Sequence, residues 1–207
     1  MLRKSGAPAA LVFIVTFALT SLASARDVNR FDFSVGAAGV FSKTATNASI
    51  TLKPTNSYEV LGTARFRFNR MHAIAFNIGR ANNAQVFLTP HSFRVQTGIT
   101  ELTAAYVFSP FQTTRLEPFL LGGGGVLRFN PGTTYIDGFQ SAFGAAQQTS
   151  LAVLYGAGVD YHLWRRLALR LQYRGLFYKN PDFKVPTLFT GTKGHMAEPS
   201  AGIVVKF

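Results

Sequence analysis

His72, His91, His162 and His195 are the four histidines of the chain, and they are its only candidates for base chemistry at neutral pH. No cysteine is present, which removes thiol nucleophiles, disulfides, Cys-ligated zinc and iron–sulfur clusters together. The run GGGG at 122–125 lacks the Gly-Lys-Ser/Thr ending of a phosphate-binding loop, and no helical pattern follows it. No catalytic, cofactor or metal residue is therefore expected. The remaining chemistry-bearing side chains are charged: Glu59, Arg65, Arg67, Glu101, Arg128, Asp160, Arg170, Arg174, Glu198 and Lys206. Most of them stand at every second position between apolar residues. Such a set can form a buried ion-pair network, in which neighbours compensate each charge. Alternatively it can line a narrow charged pore.

Long strands must position these charges. In SYEVLGTARFRF, Tyr58, Val60, Gly62, Ala64, Phe66 and Phe68 share one face, and Glu59, Arg65 and Arg67 lie on the other. Period two over about twelve residues predicts a strand roughly twice the usual soluble length. The alternation recurs in RFDFSVGAAGVF (30–41), AIAFNIG (73–79), ELTAAYVF (101–108), EPFLLGGGGVLRF (117–129), SLAVLYGAGVDYHL (150–163) and LALRLQYRGLFY (167–178). In the fifth stretch Phe119, Leu121, Leu127 and Phe129 are read as the outer face. The closing PSAGIVVKF (199–207) makes eight strands.

The connections alternate in length. Those near 69–72, 109–115 and 164–166 are short, whereas 42–56, 80–92, 130–149 and 179–194 are long. Short turns on one side and long loops on the other are the signature of an outer-membrane barrel. Phe33, Phe68, Phe108, Phe119, Tyr161 and Phe207 fall at one set of strand ends, and Phe41, Tyr58, Phe129 and Phe177 at the other, as interfacial girdles require. The expected fold is all-β: an eight-stranded antiparallel up-and-down transmembrane β-barrel. Eight strands leave a bore that side chains fill, which favours the ion-pair plug over the pore.

The amino end, MLRKSGAPAALVFIVTFALTSLASA, has a basic start, an apolar stretch and an Ala-Ser-Ala site, so a signal peptide is expected over 1–25 and the barrel domain over 26–207. Loss of Arg3 and Lys4 takes the formal charge from +12 to +10. The basic residues are scattered, which with the export signal argues against nucleic acid and for an anionic membrane surface.

Ala201, Ile203, Val205 and Phe207 alternate up to a final aromatic residue. That ending resembles the signal by which bacterial outer-membrane barrels are recognised for assembly. With the three short turns and four long loops, residues 30–207 resemble the eight-stranded OmpA-like barrel superfamily. The resemblance implies residence in the outer membrane, contact with its lipids including lipopolysaccharide, and handling by the barrel-assembly machinery through the last strand. A monomer without a peptidoglycan-binding domain is expected, with a structural or surface-interaction role through its four long extracellular loops. A small-solute channel is the alternative. A lipid A-modifying enzyme is the third reading, which His195-Met196-Ala197-Glu198 disfavours because it does not match the His-x-Ser-Asn arrangement of the deacylase barrels. The lumen network expected comprises Glu59, Arg65, Glu101, Asp160, Arg170, Arg174 and Glu198, with Glu101 and Glu198 as partners for the arginines Arg170 and Arg174.

Overall fold

Alternating sequences satisfy their backbone groups by pairing sideways, and in lipid the last strand must pair with the first, because no water is present to solvate an open edge. The computed structural model describes residues 30–47, 50–141 and 143–207, so the leader expected over 1–25 lies outside the described residues. In chain order the strands are β1 (Phe31–Ser42), β2 (Ala45–Asn47), β3 (Ile50–Pro54), β4 (Ser57–Arg67), β5 (His72–Leu88), β6 (Ser92–Phe108), β7 (Leu116–Ile136), β8 (Phe139–Gln140), β9 (Gln148–Trp164), β10 (Leu167–Lys179) and β11 (Lys193–Lys206). Eight of them close a ring in the order β1-β4-β5-β6-β7-β9-β10-β11, every pair antiparallel. The ring shuts where β11 meets β1, with Phe33 opposite Val205 and Val35 opposite Ile203. The Phe207 amide donates to the Phe31 carbonyl at 2.8 Å.

Three tight turns occupy one end, as expected. At the other end most of the expected loops are strand. Within 42–56, β2 pairs with β3, and β3 continues along β5 beyond the last pair of β4. Residues 80–92 prolong β5 and β6, which stay paired from His72–Phe108 to Leu88–Ser92. The reason lies in the inward side chains. Val40, Leu52, Phe87, Val95, Ile99, Leu127, Phe129, Leu176 and Met196 build an apolar core inside the distal half of the barrel, so the wall keeps its register around it. Asp137 and Gly138, both at positive φ, make the tight turn between β7 and β8.

The connection over 180–192 folds over the mouth instead of away from it. Its one 3₁₀ turn, Pro186–Leu188, sets Leu188 into the core beside Phe183, both fully buried. Phe183 meets the Phe87 ring edge to face at 6.2 Å. The Gln148 side-chain oxygen accepts from the Asp182 and Phe183 amides, at 2.9 Å each.

One strand runs in the opposite phase to the sequence reading. Leu120 and Arg128 point outward on β7, while Glu117, Phe119, Leu127 and Phe129 are buried inside. Phe119 and Phe129 are therefore not girdle residues, and Arg128 does not face the lumen. Glu117 sets the phase by reaching Arg67 and Lys206. Glycines 122–125 hide it, since no side chain there reports a face. At Gly123 and Gly125 a Cβ would strike the carbonyl oxygens of Ala104 and Leu102 on β6, so close strand approach requires glycine.

Candidate functional site

The inward faces bring the charged residues together in two clusters. Nearer the tight turns, Arg170 forks onto Asp160, Nε to Oδ1 at 2.7 Å and Nη2 to Oδ2 at 2.8 Å. It also donates to Asp32 at 3.2 Å and to the Ser34 hydroxyl at 3.1 Å. Arg65 donates to Asp160 at 3.4 Å. Arg67 bonds Asp32 at 3.1 Å and bonds Glu117. Lys206 donates to Glu117 at 2.9 Å, and His162 lies 3.4 Å from the same carboxylate. The Phe119 ring supports the guanidinium groups of Arg65 and Arg170, 4.6 and 5.4 Å from its centroid.

The second cluster lies deeper and centres on Arg174, which is fully buried. Glu101 grips it with both oxygens, at 3.0 and 2.7 Å. Glu198 bonds the same Nη2, and Glu59 stands 3.6 Å from it. A relay of polar side chains braces Glu101: Thr63 donates to Asn77 (2.9 Å), Asn77 to Thr103 (3.0 Å) and Thr103 to Glu101 (2.6 Å). Gly79 leaves the space that the Glu59 carboxyl occupies, for a Cβ there would collide with it. The oxygens of Glu59, Glu101 and Glu198 lie within 4.8 Å of one another, a spacing compatible with a bound cation. The guanidinium of Arg174 bonds or pairs with all three and so supplies a cation to this trio.

Every residue of the expected lumen network, Glu59, Arg65, Glu101, Asp160, Arg170, Arg174 and Glu198, is thus inside. Glu101 and Glu198 meet Arg174, as expected, but Arg170 pairs instead with Asp160 and Asp32. Asp32 and Glu117 were missed. Asp32 was readable, since it alternates with Phe31 and Phe33. Glu117 was lost with the phase of β7. Ala201, Ile203, Val205 and Phe207 share the outward face of β11.

The histidines are scattered. His72 bonds the Tyr106 hydroxyl, and His195 Nε2 lies 2.9 Å from the Tyr155 hydroxyl. His91 bonds Asp137 at 2.7 Å and His162 lies by Lys206 and Glu117. Among the described residues, none is hydrogen-bonded through its ring to a serine or threonine hydroxyl.

Outside, the strands carry an apolar belt. Phe31, Val35, Phe76, Ile78, Leu102, Leu120, Leu151, Val153, Leu171 and Ile203 are all exposed. No soluble surface would leave such a continuous band in water, and its fit is to acyl chains.

No protein-family model matches the sequence, and no curated protein matches it. Solved structures do. Neisserial surface protein A is 18% identical, with 86% of this chain and 97% of that one covered and a TM-score of 0.56. Ail, the attachment invasion locus protein of Yersinia pestis, crystallised with the heparin analogue sucrose octasulfate, is 14% identical, with coverage of 86% and 97% and a TM-score of 0.54. These likenesses concern the fold, which is that of the small eight-stranded outer-membrane barrels.

Proposed function

We propose, from the eight-stranded outer-membrane barrel fold, that this chain resides in the bacterial outer membrane as a closed barrel that conducts no solute. On this reading it acts through its lipid-facing and distal surfaces. The observation that carries the reading is the filled lumen. Two ion-pair clusters occupy its proximal and middle parts, and the Phe183–Leu188 cap seals an apolar core above them. Burial of six carboxylates against four arginines and a lysine, most of them hydrogen-bonded, suits a rigid plug: an open bore would leave those groups wet. The distal surface consists of paired strands more than loops, which supports a structural or surface-interaction role. The outward alternation of Ala201, Ile203, Val205 and Phe207 supports recognition of β11 by the assembly machinery. The histidine pairs, none of which among the described residues includes a serine or threonine hydroxyl, favour a non-enzymatic protein. One copy completes the ring, which supports a monomer.

The test is electrical. Refolded protein in a planar bilayer should show no steady conductance, and proteoliposomes should not swell in small sugars. A stable, reproducible open channel would overturn the closed-barrel reading. Recovery in the soluble periplasmic fraction, without heat-dependent migration in a denaturing gel, would overturn the membrane reading.

A further inference from the structure

A polar groove runs along β6, between β5 and β7, on the distal wall of the barrel. The register builds it in three rows. In the lowest, Asn82 and Asn130 flank Gly98, whose missing side chain leaves a hollow with the Asn82 carboxamide oxygen against it. In the next row Gln96 stands opposite Ala84 on β5, and a bulge sets both Gly132 and Thr133 of β7 against it. In the highest, Arg94 lies between Val86 and Tyr135. The lower cleft is about 450 Å³ and the upper about 490 Å³. Arg94 and Gln96 line both, so the two are continuous.

The polar groups of the groove are open to a ligand. Among the described residues, the side-chain amides of Asn82, Gln96 and Asn130 hydrogen-bond to no protein group, and Arg94 pairs with no carboxylate. Asp137, the acid at this rim, is turned instead to the Ser92 amide at 2.8 Å and the His91 ring at 2.7 Å. Height separates the groove from the bilayer. Leu102 is the last exposed apolar residue on the outward face of β6. Gly98 and Arg94 lie about 14 and 27 Å beyond it along the strand, or roughly 10 and 20 Å in height at the usual tilt. The headgroup layer on each side is only about 6 Å deep. A headgroup anchored in the belt therefore stops short of the upper cleft.

We propose that this groove binds a soluble acidic saccharide chain from outside the cell, with Arg94 receiving a uronate carboxylate and Asn82, Gln96 and Asn130 holding the hydroxyls of neighbouring rings. A carboxamide donates and accepts at once, as sugar hydroxyls do, and a planar guanidinium forks onto a carboxylate. The Tyr135 ring beside Arg94 offers an apolar face with a polar tip, on which the C–H face of a pyranose can rest. Charge sets the ligand class. One guanidinium among three neutral amides suits a single carboxylate among many hydroxyls, whereas a polysulfate needs a cation for each of its charges. Length sets the direction. The rows span about 14 Å from Gly98 to Arg94, so the chain lies along β6 and one sugar alone cannot touch both ends. The assignment rests on the outer-membrane, surface-interaction reading above and names its partner.

The full chain, refolded into phosphatidylcholine nanodiscs, should bind a galacturonate tetrasaccharide in calorimetric titration. It should bind the same tetrasaccharide with its carboxyls reduced to alcohols roughly tenfold more weakly. Arg94→Gln should abolish that preference, bringing the two probes to one affinity. Asn82→Ala/Asn130→Ala should weaken both probes by roughly tenfold, the loss of two hydrogen-bonding groups. Arg165→Gln/Arg166→Gln, at the opposite rim, should bind as wild type. No binding by the wild-type chain, equal affinity for the charged and reduced probes, or undiminished binding by either groove variant would overturn the proposal. Sulfated dextran binding more tightly than the galacturonate would overturn the uronate assignment and indicate a polyanion held by general charge. Displacement of the tetrasaccharide by lipid A, which carries no sugar chain, would overturn the placement above the headgroups. Heat-modifiable migration, checked on every sample, keeps the two readings apart. Its loss in wild type sinks the barrel itself, whereas a folded barrel without carboxylate-dependent binding sinks only this groove.

Discussion

Glu101→Ala tests whether Arg174 is held by three unequal carboxylates. Glu101 supplies two hydrogen bonds to the guanidinium, accepts a third from Thr103 at 2.6 Å, and is fully buried. Breaking one partner out of a buried ion pair costs ~3–5 kcal/mol, and the remaining bond to Glu198 places this case toward the lower figure. Glu59 offers a sharp contrast. Its nearest approach to Arg174 is 3.6 Å, and its Oε2 has no hydrogen-bond partner. Glu59→Gln keeps the shape and removes one of three carboxylates that share one cation, so its effect should stay within ~1 kcal/mol of zero. The assay is equilibrium urea unfolding in short-chain lipid vesicles, followed through Trp164, the single tryptophan. A stable Glu101→Ala barrel, or a Glu59→Gln variant as damaged as Glu101→Ala, would refute the argument that bond count and burial rank these contacts.

Phe207→Ala should lower assembly in cells far more than it lowers detergent stability, since its one aromatic partner among the described residues is Phe33, at 5.9 Å in a T-shaped contact; equal losses by fractionation and by unfolding would contradict this. Phe183→Ala should cost ~3–5 kcal/mol if the cap and core unfold together, or should show as proteolysis confined to 180–192 if the cap opens alone. An uncut, undiminished variant would show that the cap does not depend on this ring. At the β7–β8 turn, the Asp137 carboxyl is held below its usual range, first by the Ser92 amide at 2.8 Å and then by the His91 ring. A folded-state pKa below the unfolded one makes the contact favourable above about pH 4, the ordinary aspartate value, and lost as pH falls below it. Amide exchange at Ser92 should therefore keep its extra protection somewhat below that pH and lose it only as the pH falls through the lowered folded-state value.

Strand number, order and closure were legible because period two is unambiguous wherever side chains are large. The facing of side chains failed on β7 for a physical reason: four consecutive glycines carry no facial signal, so the phase had to come from Glu117, whose partners lie on β4 and β11. Strand length failed differently. Beyond the apolar belt the outward residues of β5 and β6 turn polar, and Arg80, Asn82 and Arg94 read as loop. The inward residues, Phe87, Val95 and Ile99, kept alternating for a core that the sequence alone did not reveal. All seven residues of the expected lumen network followed from parity alone, with Arg170 differing only in its partner. The identity of each partner depended on shear around the ring, which no local pattern reports.

The paired extension of β5 and β6 has a mechanical consequence. At 17 residues each, the two strands run about 57 Å along their axes, or roughly 44 Å in height at the usual tilt, against an apolar band of ~25 Å. A rigid turret therefore rises above the lipid in place of flexible tethers. Whatever touches its summit meets a stiff lever, so a lateral pull there is carried by the backbone ladder straight into the barrel seam and its plug instead of dissipating in loose chain.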